Sequence, residues 1–245
     1  GLKPVVAVYS SFLQRAYDQV IHDVCIQNLP VIFAIDRAGL VGSDGETHQG
    51  IFDLSYMSSI PNMCVMAPKN KWELSDMMKF AVHYDGPISL RYPRGEAYDG
   101  LATFRTPIEY GKRETIYDEN EIALLAVGSM VKTAVEVRDR LREMGYGCTL
   151  VNARFVKPLD QEMLRTVQSE HNLLVTMEEN VKAGGFGEAV LEYLNEIKSK
   201  TRMISIALPD DYVEHGNVDL LKQECGIDAE SIVKKIVIEY IGLTK

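Results

Sequence analysis

Short β-branched apolar runs alternate along this chain with longer segments of helical period. Val5–Ser10 and Val31–Asp36 read as strands. Between them Phe12–Gln27 reads as a helix, with Phe12, Ala16, Val20 and Val24 four apart on one face. The alternation continues with a short helix Phe52–Ile60, a strand Met63–Ala67, a helix Lys71–Tyr84 and a strand Ile88–Tyr92. A pattern of this kind predicts α/β architecture, a mostly parallel sheet with helices on its faces.

From about Gly95 to Glu121 the periodicity fades and Gly, Tyr, Thr, Pro and charged residues dominate, so the stretch reads as a linker with some short strand content. A second α/β unit follows. Its strands are expected at Ile122–Val127, Thr149–Phe155, Leu173–Met177 and Met203–Ala207. Its helices are expected from Ser129 to Met144, Asp160–Glu170, Gly184–Ile197, Val218–Cys225 and Ala229–Ile241, with Ser129 and Asp160 as N-caps. The organisation is therefore two domains, residues 1–105 and 118–245, joined by a linker at 106–117.

Composition narrows the function. Of 245 residues, 46 % are hydrophobic and 25 % charged, a balance that supports a real core. No apolar run approaches the roughly 20 residues that span a bilayer, which argues against a membrane protein. A net charge of −9 argues against a nucleic-acid surface while leaving room for a local basic pocket. Cys25, Cys64, Cys148 and Cys225 are far apart and form no C-x-x-C pair, so free thiols in a reducing cytoplasm are expected. Gly1-Leu2-Lys3-Pro4 has neither an initiator Met nor a basic n-region, and reads as a cut inside a larger protein or an expression remnant.

Chemistry concentrates in Asp36–Gly50, just after a strand, where open α/β sheets bind ligands. Glycines there let backbone approach a ligand. Arg37 and Arg94 both follow strands, and on neighbouring strands they would converge to cradle a phosphate monoester; the alternative is two surface ion pairs. His48 is the side chain most easily poised for proton transfer near neutral pH. Asp44 is a ligand-binding carboxylate or a turn residue. Tyr9, Phe12 and Arg15 lie where the first strand meets its helix and could line a pocket. Arg91, within its strand, is expected to have a structural partner. Gly184-Gly185-Phe186-Gly187 reads as a helix start packed tightly on a sheet rather than a phosphate cradle. Glu178-Glu179-Asn180 either faces another domain or subunit, or is a solvated strand edge.

Tyr9-Ser-Ser-Phe-Leu-Gln-Arg-Ala-Tyr-Asp-Gln, Asp36-Arg-Ala-Gly-Leu-Val-Gly through Thr47-His-Gln-Gly, and Arg91-Tyr-Pro-Arg-Gly resemble the pyrimidine-binding domain of the 1-deoxy-D-xylulose-5-phosphate synthase family. Val151-Asn-Ala-Arg-Phe-Val-Lys-Pro-Leu-Asp and Gly184-Gly-Phe-Gly resemble that family's transketolase-like C-terminal domain. The resemblance covers essentially the whole chain. It implies a thiamine-diphosphate- and Mg2+-dependent transferase that condenses pyruvate with glyceraldehyde 3-phosphate and releases CO2. By the same resemblance, Arg37 and Arg94 bind the acceptor's phosphate, Tyr9 and Asp44 line its pocket, and His48 manages protons or pyruvate's carboxylate. Phe12 packs on the cofactor's aminopyrimidine ring and Arg15 supports that neighbourhood.

The family's departures from this chain matter equally. The glutamate that precedes the family's first strand and the Gly-Asp-Gly and asparagine ligands of its N-terminal domain have no match here. The first domain is thus expected to be N-terminally incomplete, with an exposed sheet edge that invites association. Cofactor and Mg2+ are expected to be held mainly by an N-terminal part of the enzyme or a separate subunit, with the chain inactive alone and homo-oligomeric. Two other readings stay open: a β-type subunit of a 2-oxo-acid dehydrogenase or small transketolase subunit, and a non-catalytic assembly subunit.

Overall fold

The structure, a computed structural model, describes residues 1–243. Strand β1, Val5–Tyr9, leads into a helical segment in four pieces: α1, Ser10–Leu13; a 3₁₀ turn, Gln14–Ala16; α2, Tyr17–Gln19; and a π-helical turn, Val20–Cys25. Then come β2, Ile32–Asp36; α3, Asp53–Ser58; β3, Cys64–Met66; α4, Lys71–His83; and β4, Ile88–Arg91. The second half runs β5, Glu114–Tyr117; β6, Glu121–Ala126; α5, Met130–Glu143; β7, Cys148–Asn152; β8, Phe155–Lys157; and α6, Gln161–Glu170. It ends with β9, His171–Val181; α7, Phe186–Glu196; β10, Arg202–Leu208; α8, Val218–Glu224; and α9, Ala229–Leu243.

These form two sheets, in the orders β1-β2-β4-β3-β8 and β10-β9-β6-β7-β5. Pairing is parallel within each sheet except for one edge strand, β8 on β3 and β5 on β7. The architecture is the expected α/β arrangement of two mostly parallel sheets. Central strands such as β6 are almost wholly apolar, as strands covered on both faces must be.

The sequence pattern misleads at three points. The segment after β1 is not one regular helix. Its most buried apolar residues are Leu13, Val20 and Cys25, each 2 % exposed; of the residues four apart, Val20 is among them and Ala16 and Val24 pack partly against the same core. The step of five from Val20 to Cys25 needs the wider π turn, because a 3.6-residue period would rotate Cys25 off the core. Phe12 is thereby left 39 % exposed, outside the core. Second, Ser129 does not cap α5 with its side chain; its hydroxyl donates instead to Glu179 Oε2 at 2.8 Å. Third, the expected strand Thr149–Phe155 breaks at Arg154, whose φ of 56° is left-handed, and Phe155–Lys157 crosses to the first sheet. β5 supplies the short strand content expected within the linker stretch. Asp160 does cap α6, accepting from the Met163 amide at 3.0 Å.

The two sheets share interior. One apolar cluster joins Ile35, Leu54 and Met57 of the first half to Leu125, Leu174 and Phe186 of the second. Beside it a buried ionic cluster spans the seam. Lys69 reaches Glu73 at 2.9 Å and Glu114 at 2.6 Å, and Arg154 reaches the same two carboxylates at 2.7 and 3.1 Å. At the start of α7, the Phe186 and Gly187 amides both donate to Glu178 at 2.8 Å, the tight helix-on-sheet junction expected there.

Candidate active site

The parallel register of β1 and β2 pairs Tyr9 with Asp36, so the residues that follow both strands emerge side by side. Asp36 holds Arg37 twice, accepting from its backbone amide at 2.7 Å and from Nη1 at 2.9 Å. Arg37 takes a left-handed φ of 57°, uncommon for a side chain of its size and a mark of a constrained position. This turn lays its guanidinium over the Tyr9 ring, 3.8 Å from the centroid. Tyr9 stacks on Phe12 with centroids 5.1 Å apart. Phe12 meets His48 edge-on at 5.3 Å, and the Arg15 guanidinium lies 5.7 Å from the Phe12 ring.

Asp44 completes the group from a 3₁₀ turn, Gly42–Asp44. Its Oδ2 accepts from Arg94 Nη1 at 2.7 Å and lies 3.8 Å from Arg37 Nε. The two arginines therefore converge on one carboxylate oxygen. Arg37 Nε is nonetheless a buried N–H without a hydrogen-bond partner. His48 is oriented by Thr47, whose hydroxyl pairs with Nδ1 at 2.8 Å. All seven residues singled out in the sequence thus form one continuous set of contacts.

The loop carrying Asp44 and His48 is pinched at its base. Gly39 and Gly50 exchange backbone hydrogen bonds of 2.6 and 2.8 Å. Glycine is required at position 50, where a Cβ would fall 2.0 Å from the Arg37 carbonyl oxygen.

Arg37 and Arg94 also line a cavity of about 560 Å³ at the seam between the domains, with Lys69, Lys132, Glu179 and Lys222 among its walls. Tyr9, Phe12, Arg15 and His48 do not line it. Tyr92, on its wall, has its phenol raised above the ordinary range by burial and by Asp36, and so stays neutral. Arg91 has the structural partner expected, with Nε and Nη2 on Asp53 at 2.6 and 3.2 Å. Burial opposes the Arg91 charge, but Asp53 outweighs it and raises the group above its ordinary value.

Two residues that reach this loop drew little or no attention in the sequence. Glu179 belongs to a trio that is not a solvated edge: Glu178, Glu179 and Asn180 are all buried and face the first domain or the helix start. Gln49 accepts from the Val41 amide at 2.7 Å and donates to the Glu214 carbonyl at 3.0 Å. No local pattern marks Glu179, which acts on a segment distant in sequence, and Gln49, though inside the Asp36–Gly50 stretch, finds its Glu214 partner far along the chain. Of the remaining histidines, His171 is a packing residue on Thr149, while His22 and His83 are exposed. Among the described residues, no group of three or more His, Cys, Asp or Glu side chains is placed to hold a metal ion, and no helix is long and apolar enough to cross a membrane.

Two family descriptions match nearly the whole chain. The transketolase pyrimidine-binding domain covers residues 1–99 and the transketolase C-terminal domain covers residues 111–232. The 1-deoxy-D-xylulose-5-phosphate synthase of Lachnoclostridium phytofermentans is 58 % identical over 96 % of this chain and 38 % of its own length. That of Clostridium tetani is 48 % identical over 97 % of this chain and again 38 % of its own length. The chain therefore spans well under half of these relatives. Among solved structures, a split-gene transketolase described as an inactive β4 tetramer superposes with a TM-score of 0.91 at 26 % identity, covering 100 % of this chain and 78 % of that one. A Campylobacter jejuni transketolase shares the fold, with a TM-score of 0.74 at 18 % identity over 96 % of this chain and 35 % of that one. This chain belongs to the transketolase family, pairing its pyrimidine-binding and C-terminal domains on the branch of the 1-deoxy-D-xylulose-5-phosphate synthases.

Proposed function

We propose that this chain carries the acceptor side of a 1-deoxy-D-xylulose-5-phosphate synthase active site, condensing pyruvate with glyceraldehyde 3-phosphate and releasing CO2. One observation supports the acceptor most directly. Arg37 and Arg94 share Asp44 Oδ2, and Arg37 still has an unpartnered buried N–H. A phosphate brings several acceptor oxygens to such a pair of forks, which a single carboxylate oxygen does not satisfy. In this reading the two guanidinium groups bind the phosphate, while Tyr9 and Asp44 fix their planes. His48, its Nδ1 held by Thr47, offers Nε2 to the reacting carbons or to pyruvate's carboxylate.

The residues present fit one end of thiamine diphosphate. The partly exposed Phe12 ring, flanked by Tyr9, His48 and Arg15, offers an aromatic face to the aminopyrimidine, a contact worth about 0.5–1.5 kcal/mol beyond its area. When bound, the cofactor supplies the nucleophilic carbon that takes up pyruvate's two-carbon unit. Its diphosphate and Mg2+ are assigned to another part of the enzyme, in keeping with the 38 % of the relatives' length spanned here. A cytoplasmic homo-oligomer completes the reading. A second reading, the small subunit of a split transketolase, draws on the close superposition with the split-gene β4 assembly.

Acceptor kinetics separate the two. In enzyme completed with its remaining part, Arg37→Ala and Arg94→Ala should each raise the KM for glyceraldehyde 3-phosphate about thirtyfold, the equivalent of about 2 kcal/mol per lost fork. Unchanged acceptor KM in both variants rejects the assignment. Restored CO2 release from pyruvate on mixing the parts excludes a purely structural subunit.

A further inference from the structure

Glu179 is 2 % exposed, and both of its carboxylate oxygens are engaged outside its own strand. Beyond Met177, β9 has passed its last partner on β6 and runs on toward the first domain, where the Val181 amide donates to Ile51 O at 2.9 Å. The three polar residues on this extension divide their work. Glu178 binds the α7 amides inside its own domain. Asn180 accepts from the Leu54 amide at the start of α3. Glu179 alone reaches the site loop, its Oε1 accepting from the Leu40 amide at 2.8 Å.

Leu40 directly follows Gly39, one side of the Gly39–Gly50 pinch. A Cβ at position 39 would fall 2.6 Å from the Glu179 carboxylate, and Gly39 has a φ of 81°, so the loop backbone is shaped to admit this side chain. The other oxygen, Oε2, accepts from Ser129 at 2.8 Å and faces Lys222 Nζ at 3.6 Å, both in the second domain. The carboxylate is therefore held from behind while it grips the loop in front. Gln49 pins the opposite side of the same loop to Val213 and Glu214.

We propose that Glu179 is a positioning residue for the acceptor site. From the C-terminal domain, it fixes the base of the loop that presents Asp44 to Arg37 and Arg94 and His48 to Phe12. The C-terminal domain thereby contributes to acceptor recognition through the loop that Glu179 holds. The link to acceptor recognition rests on the function proposed above; the grip on the loop does not.

Two readouts test it. The first is hydrogen exchange on the full chain. Glu179→Ala should accelerate exchange of the amides in residues 39–50 about tenfold, because a bond from a buried amide to a charged acceptor is lost. Glu179→Gln, which keeps an oxygen for the Leu40 amide, should restore slow exchange. Should the Ala variant fail to fold, Glu179→Asp, one methylene short of Leu40, must show the same loop-specific acceleration. Unchanged exchange of the loop, or acceleration spread evenly through β6 and β9, overturns the proposal.

The second readout is acceptor KM in the completed enzyme. Glu179→Ala should raise it about tenfold and Glu179→Gln should hold it within about twofold. If the arginine variants raise acceptor KM but Glu179→Ala does not, positioning fails and the acceptor assignment stands. If the arginine variants have no effect, the acceptor assignment fails, and loop exchange alone decides whether Glu179 holds the loop.

Discussion

Arg37 combines a left-handed backbone, a ring beneath its guanidinium and a buried N–H without a partner. The left-handed backbone and the unpartnered N–H are each unfavourable for folding alone, which marks a residue kept for what it binds. Its conformation depends on Gly50, whose missing Cβ leaves room for the Arg37 carbonyl. Gly50→Ala forces that backbone apart, and a loss of about 2–4 kcal/mol is expected. Urea unfolding measures it; a loss under about 0.5 kcal/mol, the usual range for a neutral surface change, would mean the pinch is dispensable. The density of glycine and charge in 36–50 marks this region as a candidate site in the sequence itself. What the sequence could not disclose is the Tyr9–Asp36 register, which puts Arg37 over Tyr9. Register is a property of strand pairing, and no residue in either strand announces it.

At the scale of elements, apolar periodicity located nearly every strand and helix, because burial on one or both faces dictates it. It failed where a segment serves two partners. β7 and β8 read as one strand, yet Arg154 turns between them to enter the ionic cluster with Glu73, and each half joins a different sheet. The bounds of β5 within the linker stretch were not marked, because its Glu114 is buried by pairing rather than by apolarity. Burial pushes the Glu114 carboxyl up, but Lys69, the Thr106 amide and Arg154 together outweigh it and hold the group below its ordinary value of 4.5. A lowered carboxyl contributes stability above that ordinary value and loses it as pH falls through the folded value. Glu114→Gln should therefore destabilise by about 3–5 kcal/mol at neutral pH, since it leaves two buried cations facing one carboxylate. The gap from the wild type should begin to narrow below the ordinary value of 4.5 and close as the pH falls through the lower folded value. Chemical denaturation across pH checks this, and a gap independent of pH would show that the cluster's charge is irrelevant.

The molecule as a whole is joined three times, by the shared apolar interior, the ionic cluster and the pinned site loop. Such continuity predicts a single calorimetric unfolding transition with matching calorimetric and van't Hoff enthalpies. Two resolved transitions would show that the domains are independent. The pairing of domains was legible from the weakened pattern near Gly95–Glu121, but their interpenetration was not, because contacts over such sequence distance leave no periodic trace. The proposed function, with diphosphate and Mg2+ held elsewhere in the enzyme, predicts weak cofactor binding to this chain alone. Calorimetric titration with thiamine diphosphate and Mg2+ should give no heat of binding at micromolar concentrations; a sub-micromolar Kd would place the diphosphate site within these residues.

The crossing of Phe155–Lys157 onto β3 has a consequence for anyone recombining such enzymes. A chimera joined between the two family domains would import a foreign border strand into the sheet it meant to preserve. The recipient's Cys64–Met66 and the donor's three residues would have to match in shape and alignment.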